Sequence, residues 1–512
     1  MRVKRAELVE SVQIVADADR LTSRAGTALL VGLADRVGLT GALSEAMGGV
    51  RRRRSRHDPG RTLRDLAVML ADGGDCLADV SALRDQPTLF GDVSSDATAW
   101  RALAALEPAR LAAVRQARAQ ARRRVWQLAD APRRLILDLD ATLLTAHSDK
   151  ERAAGTYKHG FGFHPLLCYE ATTEEALAGI LRPGNAGANT AADHIEVLDL
   201  ALAQLPEQAV GAGLLVRADS GGATHAFLND VVERGFRFSV GFDLTEPVRE
   251  AVLAVSEKAW RPALTQAGEP HDGAAVAELA LDLEANGWPP GTRAICRRER
   301  PHPGAQLSFT DDNGYRFQVF ITNQQGGRIE RLEQLHRQHA VVEDRIRCGK
   351  QTGLQNLPFR GFAANAAWLE LALCAQDLLA WTQRLLLTGE PARCEPNGSA
   401  TGSSTSPAGS PATPAASACT SRAAGPGAKH SSTPTRACAR SRKRHSLGAS
   451  AREHQRHDPA GPGTAANGTR AHREPSPAYP GAPRSFRDHI RTRHTSNRPT
   501  SAGLTELLHD PG

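Results

Sequence analysis

Three carboxylates in the sequence occupy positions from which a fold could bring them together. Asp140 and Asp219 each close an apolar stretch, and Glu343 lies in a later segment with helical spacing. Magnesium prefers oxygen ligands and usually takes one or two carboxylates together with substrate phosphates. Two such ions about 3.5–4 Å apart can clamp the attacking and the leaving oxygen of a phosphodiester. The three residues therefore predict a metal-dependent site for phosphodiester chemistry.

The first carboxylate belongs to the stretch Leu135–Thr142, an apolar run that carries two aspartates. Side chains alternate along a strand, so Asp138 and Asp140 share one face with Thr142, while aliphatic residues line the other. This pattern predicts a buried strand with an acidic site at its end, and an edge strand with solvated carboxylates is the alternative. Asp138 is the second choice as a metal ligand on this strand.

The other two carboxylates have purely structural explanations as well. Asp219 stands at a strand end, where open α/β sheets place ligands, but it could instead cap the following helix. Glu343 could form a solvated ion pair with Arg347, one helical turn further on. On a helix, Glu343 also shares one face with four other residues: His336, His339, Ile346 and Lys350. Only the three carboxylates taken together favour a metal site.

Alternating strand and helix signals place these residues in an α/β domain over residues 129–388. Strands are expected near 135–142, 160–169, 176–181, 213–219 and 237–242, and helices near 189–205, 224–234, 329–347 and 364–387. Residues from about 245 to 323 alternate apolar and polar side chains, which predicts an antiparallel, β-rich insertion. Residues 1–128 have mostly helical apolar spacing. The predicted fold class is a mixed α/β sheet preceded by a small helical domain.

The composition changes abruptly near residue 391. From there to residue 512 the chain is rich in Ser, Thr, Pro, Gly and Arg, has no Val, Met or Trp, and keeps Ile490 as its only Ile. Such a low-complexity segment cannot bury a core, so a disordered tail is expected. Because well-patterned sequence precedes it, the tail is also a candidate for an out-of-frame translation, with a natural basic tail as the alternative.

Charge and cysteine usage restrict the partners. The 512 residues carry a net charge of +7, which favours an anionic partner such as nucleic acid. The eight cysteines are scattered without the spacing of a metal site, which indicates a reducing compartment. No signal-peptide or membrane-span pattern occurs, so a cytoplasmic protein with no membrane partner is expected.

Two arginine runs are candidates for phosphate contact. The first lies in the helical region: Arg51, Arg52, Arg53, Arg54 and Arg56. It is either a solvated loop or a set of phosphate contacts, which would position nucleic acid without reading its sequence. The second run, Arg122–Arg124, lies at the end of a predicted helix that begins near Pro108, just before the acidic strand.

Three segments resemble the motifs of a known family: Leu137–Thr142, Arg217–Gly222 and Val342–Ile346. They look like the three acidic motifs of the DDE transposases of bacterial insertion sequences, over roughly residues 20–388. The resemblance implies a ribonuclease-H-like sheet, with a β-rich insertion at the place where the alternating segment occurs here. It also implies the activity, which is metal-dependent cleavage of the ends of the element and strand transfer into target DNA.

By this resemblance, Asp140, Asp219 and Glu343 form the catalytic triad and bind two Mg²⁺ ions, which Mn²⁺ can replace. Asp140 is preferred to Asp138 because the family's first aspartate is followed, one residue on, by Ser or Thr, and Thr142 holds that place here. The helical region 1–128 is expected to bind the terminal inverted repeats. A homodimer in a synaptic complex, associated with the bacterial nucleoid, is the expected working form.

The resemblance also bears on DNA contacts near the glutamate. Related transposases have a Tyr seven and an Arg four positions before it and a Lys seven positions after it. Here these positions hold His336, His339 and Lys350. Lys350 matches the family, and phosphate contact by the two histidines would depend on their protonation. We carry Lys350 and His339 forward as candidate DNA contacts.

Two other hypotheses stay open at this point. The segment Asp138–Thr142 also fits the Asp-x-Asp-x-Thr motif of haloacid-dehalogenase-like phosphatases, in which Asp138 would be the nucleophile and Asp140 the acid/base. A non-catalytic DNA-binding protein would explain the arginine runs, but it would not explain three carboxylates at strand and helix positions.

Overall fold

The structure is a computed structural model of the chain. It describes residues 21–22, 24–50, 55–211, 213–301, 311–387 and 408–409. The arginines at 51–54 lie outside the described residues, and so does the tail from 391 onward apart from residues 408–409. The predictions for these two segments therefore stay predictions.

Helices fill the N-terminal part of the described chain and recur between the strands. They are α1 Ala25–Arg36, α2 Leu39–Ala46, α3 Pro59–Ala71, α4 Ser81–Arg84, α5 Pro87–Phe90, α6 Asp96–Ala104, α7 Pro108–Leu128, α8 Ala191–Leu202, α9 His225–Glu233, α10 Glu246–Leu253, α11 Ile329–Arg337, α12 Val341–Gly349 and α13 Phe362–Leu385. Proline at the first position of α7 fits the helix start, because no helical partner is lost there. The side chain of Asp58 caps α3 by accepting a hydrogen bond from the backbone N–H of Arg61.

The strands predicted for the α/β domain are present with small shifts at their ends, and the structure adds short strands that were not predicted. They are β1 Leu21–Thr22, β2 Ile136–Ala141, β3 Leu144–Thr145, β4 Ala154–Gly155, β5 Phe161–Phe163, β6 Leu166–Glu170, β7 Ala176–Ile180, β8 Leu215–Ala218, β9 Arg237–Phe242, β10 Arg261–Leu264, β11 Pro270–Leu279, β12 Arg293–Glu299, β13 Arg316–Thr322 and β14 Ala408–Gly409. The apolar stretch over 160–169 divides at Pro165, because proline has no N–H to give to a ladder.

The central sheet is mixed. Its nine strands lie in the order β10-β11-β12-β13-β9-β8-β2-β6-β7. β2, β8 and β9 run parallel to one another, and β6 is antiparallel to both β2 and β7. In the portion β7-β6-β2-β8-β9, the strands β2, β6 and β7 follow one another in the sequence. They lie beside β8 and β9, two parallel strands that are each preceded by a helix. The predicted mixed α/β class is confirmed, and this strand order agrees with the ribonuclease-H-like sheet that the resemblance implies.

The β-rich insertion does not form a sheet of its own. Strands β10 to β13 pair antiparallel in succession. β13 then pairs with β9 from Val319–Phe242 to Thr322–Ser239. The insertion therefore extends the central sheet beyond β9, so its strands are held in register with the strands that carry the candidate site.

One hydrophobic core joins the N-terminal helices to the sheet. Leu66 of α3, Leu137 of β2 and both tryptophans of α13, Trp368 and Trp381, belong to it. The helix α13 is mostly apolar and therefore buried, and it packs against α1, α3, α7 and β7. The predicted boundary near residue 128 is therefore not a break in packing, and α13 is the element that bridges it.

A buried network of charges ties α7, β7 and α13 together. Arg118 and Arg122 both donate to Oδ2 of Asp377, at 2.8 and 2.5 Å. The other oxygen of Asp377 accepts the backbone N–H of Ala176 at 3.0 Å. Arg122 also donates to Glu175 at 3.1 Å. Arg122 is fully buried, so the prediction that the run ending α7 offers it to phosphate is wrong.

The helix predicted over residues 329–347 is interrupted. α11 ends at Arg337, a tighter turn spans residues 338–340, and α12 begins at Val341. Short turns of this kind frequently connect helices. Beyond α12 the chain makes a wide turn in which Gly353 has a left-handed φ of 87°, a conformation that glycine adopts without strain.

Among the described helices, none alone has the length and hydropathy needed to cross a membrane, and only the bent pair Gly26–Arg36 with Leu39–Ala46 meets those criteria together.

Candidate active site

Asp140 and Asp219 stand side by side at one edge of the central sheet. β2 and β8 are parallel neighbours in which Leu139 pairs with Ala218. The next residue on each strand is one of the two aspartates, so they leave adjacent strand ends that are about 4.8 Å apart across the sheet. Asp140 is half-buried and Asp219 is exposed. This is the carboxyl edge of the parallel strands, where open α/β sheets place their ligands.

The surroundings of Asp140 are strongly acidic. Burial, followed by the negative charge of Asp219, raises the pKa of Asp140 to about 7. Glu343 and Asp138 add to the rise, and a hydrogen bond from the backbone N–H of Ala141, at 2.7 Å, opposes it. Glu343 is therefore within electrostatic reach of Asp140. Like charges this close disfavour full ionisation unless a cation joins them.

Close packing fixes the turn that carries Asp219. Oδ1 of Asp219 accepts a backbone N–H at 3.0 Å from within the short turn Ser220–Gly222, whereas Thr224 caps α9. On the neighbouring strand β9, a Cβ at Gly241 would lie 2.9 Å from the backbone nitrogen of Ser220. Because that approach is closer than a Cβ tolerates, glycine at position 241 allows the turn to pack against the strand.

Glu343 approaches the same edge from the first turn of α12. It is exposed, and it makes no ion pair with any described residue. Arg347, its candidate partner in a solvated pair, binds Asp344 at 3.3 Å. The solvated ion pair considered from the sequence is therefore not formed, and the Glu343 carboxylate has no cationic partner within the described part of the chain.

Two histidines fasten the segment α11–α12 to the sheet. Nε2 of His339 lies 3.1 Å from the carbonyl oxygen of Leu139, so this nitrogen carries the proton and donates. A hydrogen bond of 3.0 Å joins Nδ1 of His336 to Oγ of Ser239, and its ring stacks on Phe320 with centroids 4.3 Å apart. Burial lowers the pKa of both rings, that of His336 to about 3. Neutral rings with these contacts suit positioning better than the phosphate contact expected of His339.

Arg217 is a buried cation in the otherwise aliphatic strand β8. Its Nε and Nη2 donate to the two oxygens of Asp138 at 2.6 and 2.7 Å. Its Nη1 donates to the carbonyl oxygen of Leu335 near the end of α11. One guanidinium therefore joins β8, β2 and α11. Because Arg217 occupies both oxygens of Asp138, the second-choice ligand is not available to a metal ion.

A cleft of about 470 Å³ opens beside the carboxylates. Asp219 and Glu343 line it, and so do Arg297 of β12 and Arg337 of α11. Both arginines bind Glu333, which also lines the cleft. Asp140 is not among its lining residues, so its connection to the other two carboxylates comes from strand pairing and charge. The cleft therefore connects two of the three carboxylates to a wall of paired charges.

The donor set fits divalent metal ions. Asp140, Asp219 and Glu343 offer the oxygen ligands that Mg²⁺ prefers, and none of the three forms an ion pair within the described ranges. A site with two ions does not need all its ligands around one ion. Among the described residues, a group of possible metal ligands whose ligand atoms all lie within 4.8 Å of one another is found away from these carboxylates, at Asp75, Cys76 and Asp79.

The remaining candidate DNA contacts lie in different places. Arg56 is exposed, and its Nε donates to Asp92 at 2.6 Å. Lys350 follows α12, and burial lowers its pKa while the Asp140 carboxylate opposes that change. Lys350 is therefore within electrostatic reach of Asp140. Arg56 lies in the N-terminal helical region.

Two residues that position the carboxylates were not predicted from the sequence. Arg217 stands among aliphatic residues in a strand, and an arginine is almost never fully buried unless it is paired. That rule could have matched it with Asp138. Gly241 interrupts an apolar strand, which often marks a close backbone approach.

Comparisons with known proteins agree with these observations at the level of the family. The model of the family described as transposase DDE domain group 1 matches residues 5–397. Among solved structures, the chain is similar to a piggyBac transposase synaptic complex with hairpin DNA seen by cryo-electron microscopy. That similarity has 10% identity and a TM-score of 0.38, and it covers 74% of this chain and 78% of that chain. No curated protein matches the chain.

Proposed function

Because the chain belongs to the transposase family with a DDE domain of group 1, we propose that it cleaves the ends of an insertion sequence and transfers them into target DNA. The observation that carries this proposal is the set of Asp140, Asp219 and Glu343, three carboxylates at one edge of the sheet without an ion pair to a described residue. Asp138, in contrast, is buried and pairs with Arg217, which gives it a structural role.

The proposal assigns the three carboxylates to metal binding. Asp140, Asp219 and Glu343 would hold divalent ions, with Mg²⁺ favoured by their oxygen ligands and Mn²⁺ able to replace it. When bound, these ions supply Lewis-acid polarisation of the scissile phosphate and stabilise the charge that develops on its oxygens. The ammonium group of Lys350, which lies within reach of Asp140, would contact a neighbouring phosphate of the same strand.

The same site would serve two displacement steps. In the first, water attacks the phosphorus at the end of the element, the P–O3′ bond breaks, and a 3′-hydroxyl is released. In the second, that 3′-oxygen attacks a phosphorus of the target strand, forms the new P–O bond, and displaces the 3′-oxygen of the target. Both steps use in-line displacement at a phosphodiester, so one arrangement of carboxylates is sufficient.

We further propose that the helical region 1–128 binds the terminal inverted repeats and that the working form is a homodimer on both ends and target DNA. The basic run that ends at Arg56 supports this assignment by its charge. The continuity of the core through α13 would keep the bound end in a constant relation to the carboxylates.

Strand cleavage at the flanks of the gene tests the proposed function. The full chain would be incubated with a supercoiled plasmid that carries the DNA flanking its gene, in the presence of Mg²⁺, Mn²⁺ or EDTA. We expect nicks at two inverted repeats that bracket the gene, with either metal and not with EDTA. Absence of cleavage with both metals, or cleavage at unrelated positions only, would contradict the proposal.

The phosphatase alternative has a simple discriminating assay. It requires Asp138 as nucleophile, but this side chain is buried and both of its oxygens accept hydrogen bonds from Arg217. We therefore expect no metal-dependent hydrolysis of p-nitrophenyl phosphate above the background of the Asp138→Asn variant. Turnover by the parent chain that disappears in the Asp138→Asn variant would favour the phosphatase.

The buried pair of Asp138 and Arg217 gives a prediction about positioning. Arg217→Lys keeps the charge but cannot bind both oxygens of Asp138 and the Leu335 carbonyl at once. We expect cleavage to fall roughly tenfold and the Mg²⁺ concentration for half-maximal rate to rise, because a misplacement of about 1 Å can cost up to 10²-fold. A Mg²⁺ titration of the initial rate measures both. An unchanged half-maximal concentration would show that Arg217 serves stability only.

A further inference from the structure

The chain leaves the strand of Asp140 directly into a small separate sheet. β3 begins at Leu144, and β3, β5 and β4 pair in that order. The turn between β4 and β5, residues Thr156–Gly160, is called here the hairpin tip. Because only three residues separate Asp140 from Leu144, the position of this hairpin is tied to the position of the first carboxylate.

The hairpin tip has a defined shape. The backbone N–H of Thr156 donates to the carbonyl oxygen of Gly160 at 2.8 Å, and Oγ1 of Thr156 accepts the Gly160 N–H at 3.0 Å. His159 closes the turn in a left-handed conformation, with φ of 59°. These bonds leave Tyr157 and Lys158 projecting outward. The Lys158 ammonium lies 5.6 Å from the Tyr157 ring centroid, so an amine and an aromatic ring are presented together.

The Tyr157 side chain is largely exposed to solvent. It is 68% exposed, the highest value among the large apolar side chains of the described residues. Phe161, on the same hairpin, is 42% exposed. Two exposed aromatic residues lie on this one short hairpin. The Lys158 ammonium and the His164 ring lie near the Tyr157 ring, but most of the Tyr157 side chain stays exposed and is suited to stacking.

One ring contact and the electrostatic surroundings of His164 and Lys350 relate the hairpin tip to the carboxylates. The Tyr157 ring lies 5.9 Å from the ring of His164. Burial lowers the pKa of His164, and the charge of Asp219 opposes that change. The Lys158 charge adds to the burial that lowers the pKa of Lys350, and the Asp140 carboxylate opposes it. The hairpin tip therefore lies within electrostatic reach of Lys350, which is itself within reach of Asp140.

The charges around the hairpin tip call for an anionic partner. Within the described ranges, neither Lys158 nor Lys350 makes an ion pair, and the two ammonium groups repel each other. A phosphate between them would relieve that repulsion. The exposed part of the Tyr157 ring can stack only on a base whose own face is uncovered. This excludes the interior of a duplex and leaves an unpaired nucleotide or a terminal base pair, which probes with an overhang and with blunt ends distinguish.

We propose that the hairpin tip binds an unpaired DNA strand next to the reacting phosphodiester, with Tyr157 stacked on a base and Lys158 sharing a phosphate with Lys350. This proposal rests on the proposed function, because it takes DNA as the substrate. It adds a site for the separated strand that the metal-binding carboxylates do not provide. Recognition through stacking and phosphate contact is independent of base sequence.

Binding to matched DNA probes tests the proposal without catalysis. The full chain would be titrated, in EDTA, against a fluorescein-labelled duplex with a short single-stranded 3′ overhang and against the same duplex with blunt ends. We expect Tyr157→Ala to weaken binding of the overhang probe roughly tenfold. Tyr157→Phe should stay within about twofold of the parent, because the stacking ring remains. Binding of the blunt probe should be the same for all three proteins.

A lysine pair supplies the charge control. Lys158→Gln should weaken overhang binding and reduce the slope of log affinity against log salt by about 0.7, the value for one phosphate contact on a single strand. Lys258→Gln, which removes an exposed charge on the insertion, should change neither quantity. Equal effects of the two lysine variants would overturn the proposal.

Two further outcomes would also overturn it. One is an unchanged affinity of Tyr157→Ala for the overhang probe. The other is a change in self-association by sedimentation without a change in overhang binding, since it would assign the hairpin tip to a second copy of the chain. Neither result would contradict the proposed function. The proposed function fails separately, if the parent chain cuts no DNA at the flanks of its gene.

Discussion

Glu343→Gln is expected to lower Mg²⁺-dependent strand cleavage by roughly 10³-fold or more. Metal ions contribute several kcal/mol of stabilisation to a transition state with developing charge, and each ~1.4 kcal/mol corresponds to tenfold in rate. Glutamine keeps the shape of the side chain but removes the negative charge. Glu343 is exposed on the first turn of α12 and pairs with no described cation, so the fold should be unaffected. Cleavage of labelled flanking DNA and its binding, measured side by side, give the result.

Asp344→Asn is the matched control for that substitution. Asp344 is the next residue on α12, it is exposed, and its carboxylate binds Arg347 rather than facing Asp140. The control removes the same charge from the same helical turn, so we expect cleavage within about twofold of the parent, in line with the small effect of surface ion pairs. If the two variants were equally impaired, the charge of α12 as a whole would be responsible, and Glu343 would lose its assignment.

Thermal stability provides a second measurement that does not depend on catalysis. The acidic surroundings of Asp140 disfavour the ionised form, so removing one neighbouring charge should leave the metal-free melting temperature unchanged or slightly higher. Added Mn²⁺ should raise the melting temperature of the parent, because a ligand that binds only the folded state stabilises it. We expect Glu343→Gln to lose most of that rise. A full rise in the variant would contradict the role of Glu343 as a metal ligand.

The sequence predicted the limits of the strand that contains Asp140, and the end of the strand before Asp219, to within one residue. Both strands are short and mostly aliphatic, and such local patterns are readable without knowledge of the partners. What the pattern could not supply was the pairing of Leu139 with Ala218. That pairing is a contact between residues distant in sequence, and the relation of the two aspartates depends on it.

The prediction for α11 and α12 shows a different limit. Apolar spacing suggested one helix over residues 329–347, and the structure has two with a tight turn at 338–340. The turn lies between His336 and Glu343. His336 before it and His339 within it both contact the sheet. Periodicity does not detect such a break, because these contacts join residues that are distant in sequence.

Arg122 illustrates why charge runs are poor guides to surfaces. In the sequence it is one of three arginines, and in the structure it lies fully buried between Glu175 and Asp377. Both partners are acidic, and Asp377 stands in an apolar stretch of the sequence, which is itself a signal that a buried cation is needed. The three residues lie in separate segments, and only the fold brings them together.

Asp377→Asn is expected to destabilise the protein by about 3–5 kcal/mol, the cost of breaking a buried ion pair by removing one partner. Two guanidinium groups, those of Arg118 and Arg122, converge on Oδ2 of Asp377. Asparagine is neutral, and it would leave part of that positive charge uncompensated in a region without water access. Since α7, β7 and α13 meet here, the loss should be felt in global unfolding. The free energy of unfolding in urea measures it.

Asp230→Asn is the control, because Asp230 forms a partly exposed pair with Arg234 one helical turn away. We expect it to change the free energy of unfolding by no more than about 1 kcal/mol. The comparison separates burial from charge, since both variants remove one carboxylate that binds arginine. A loss below about 1 kcal/mol for Asp377→Asn would mean that Glu370 and Glu175, which also bind the two arginines, compensate them without Asp377. The network would then be a redundant set of contacts rather than the joint on which the helical region and the sheet depend.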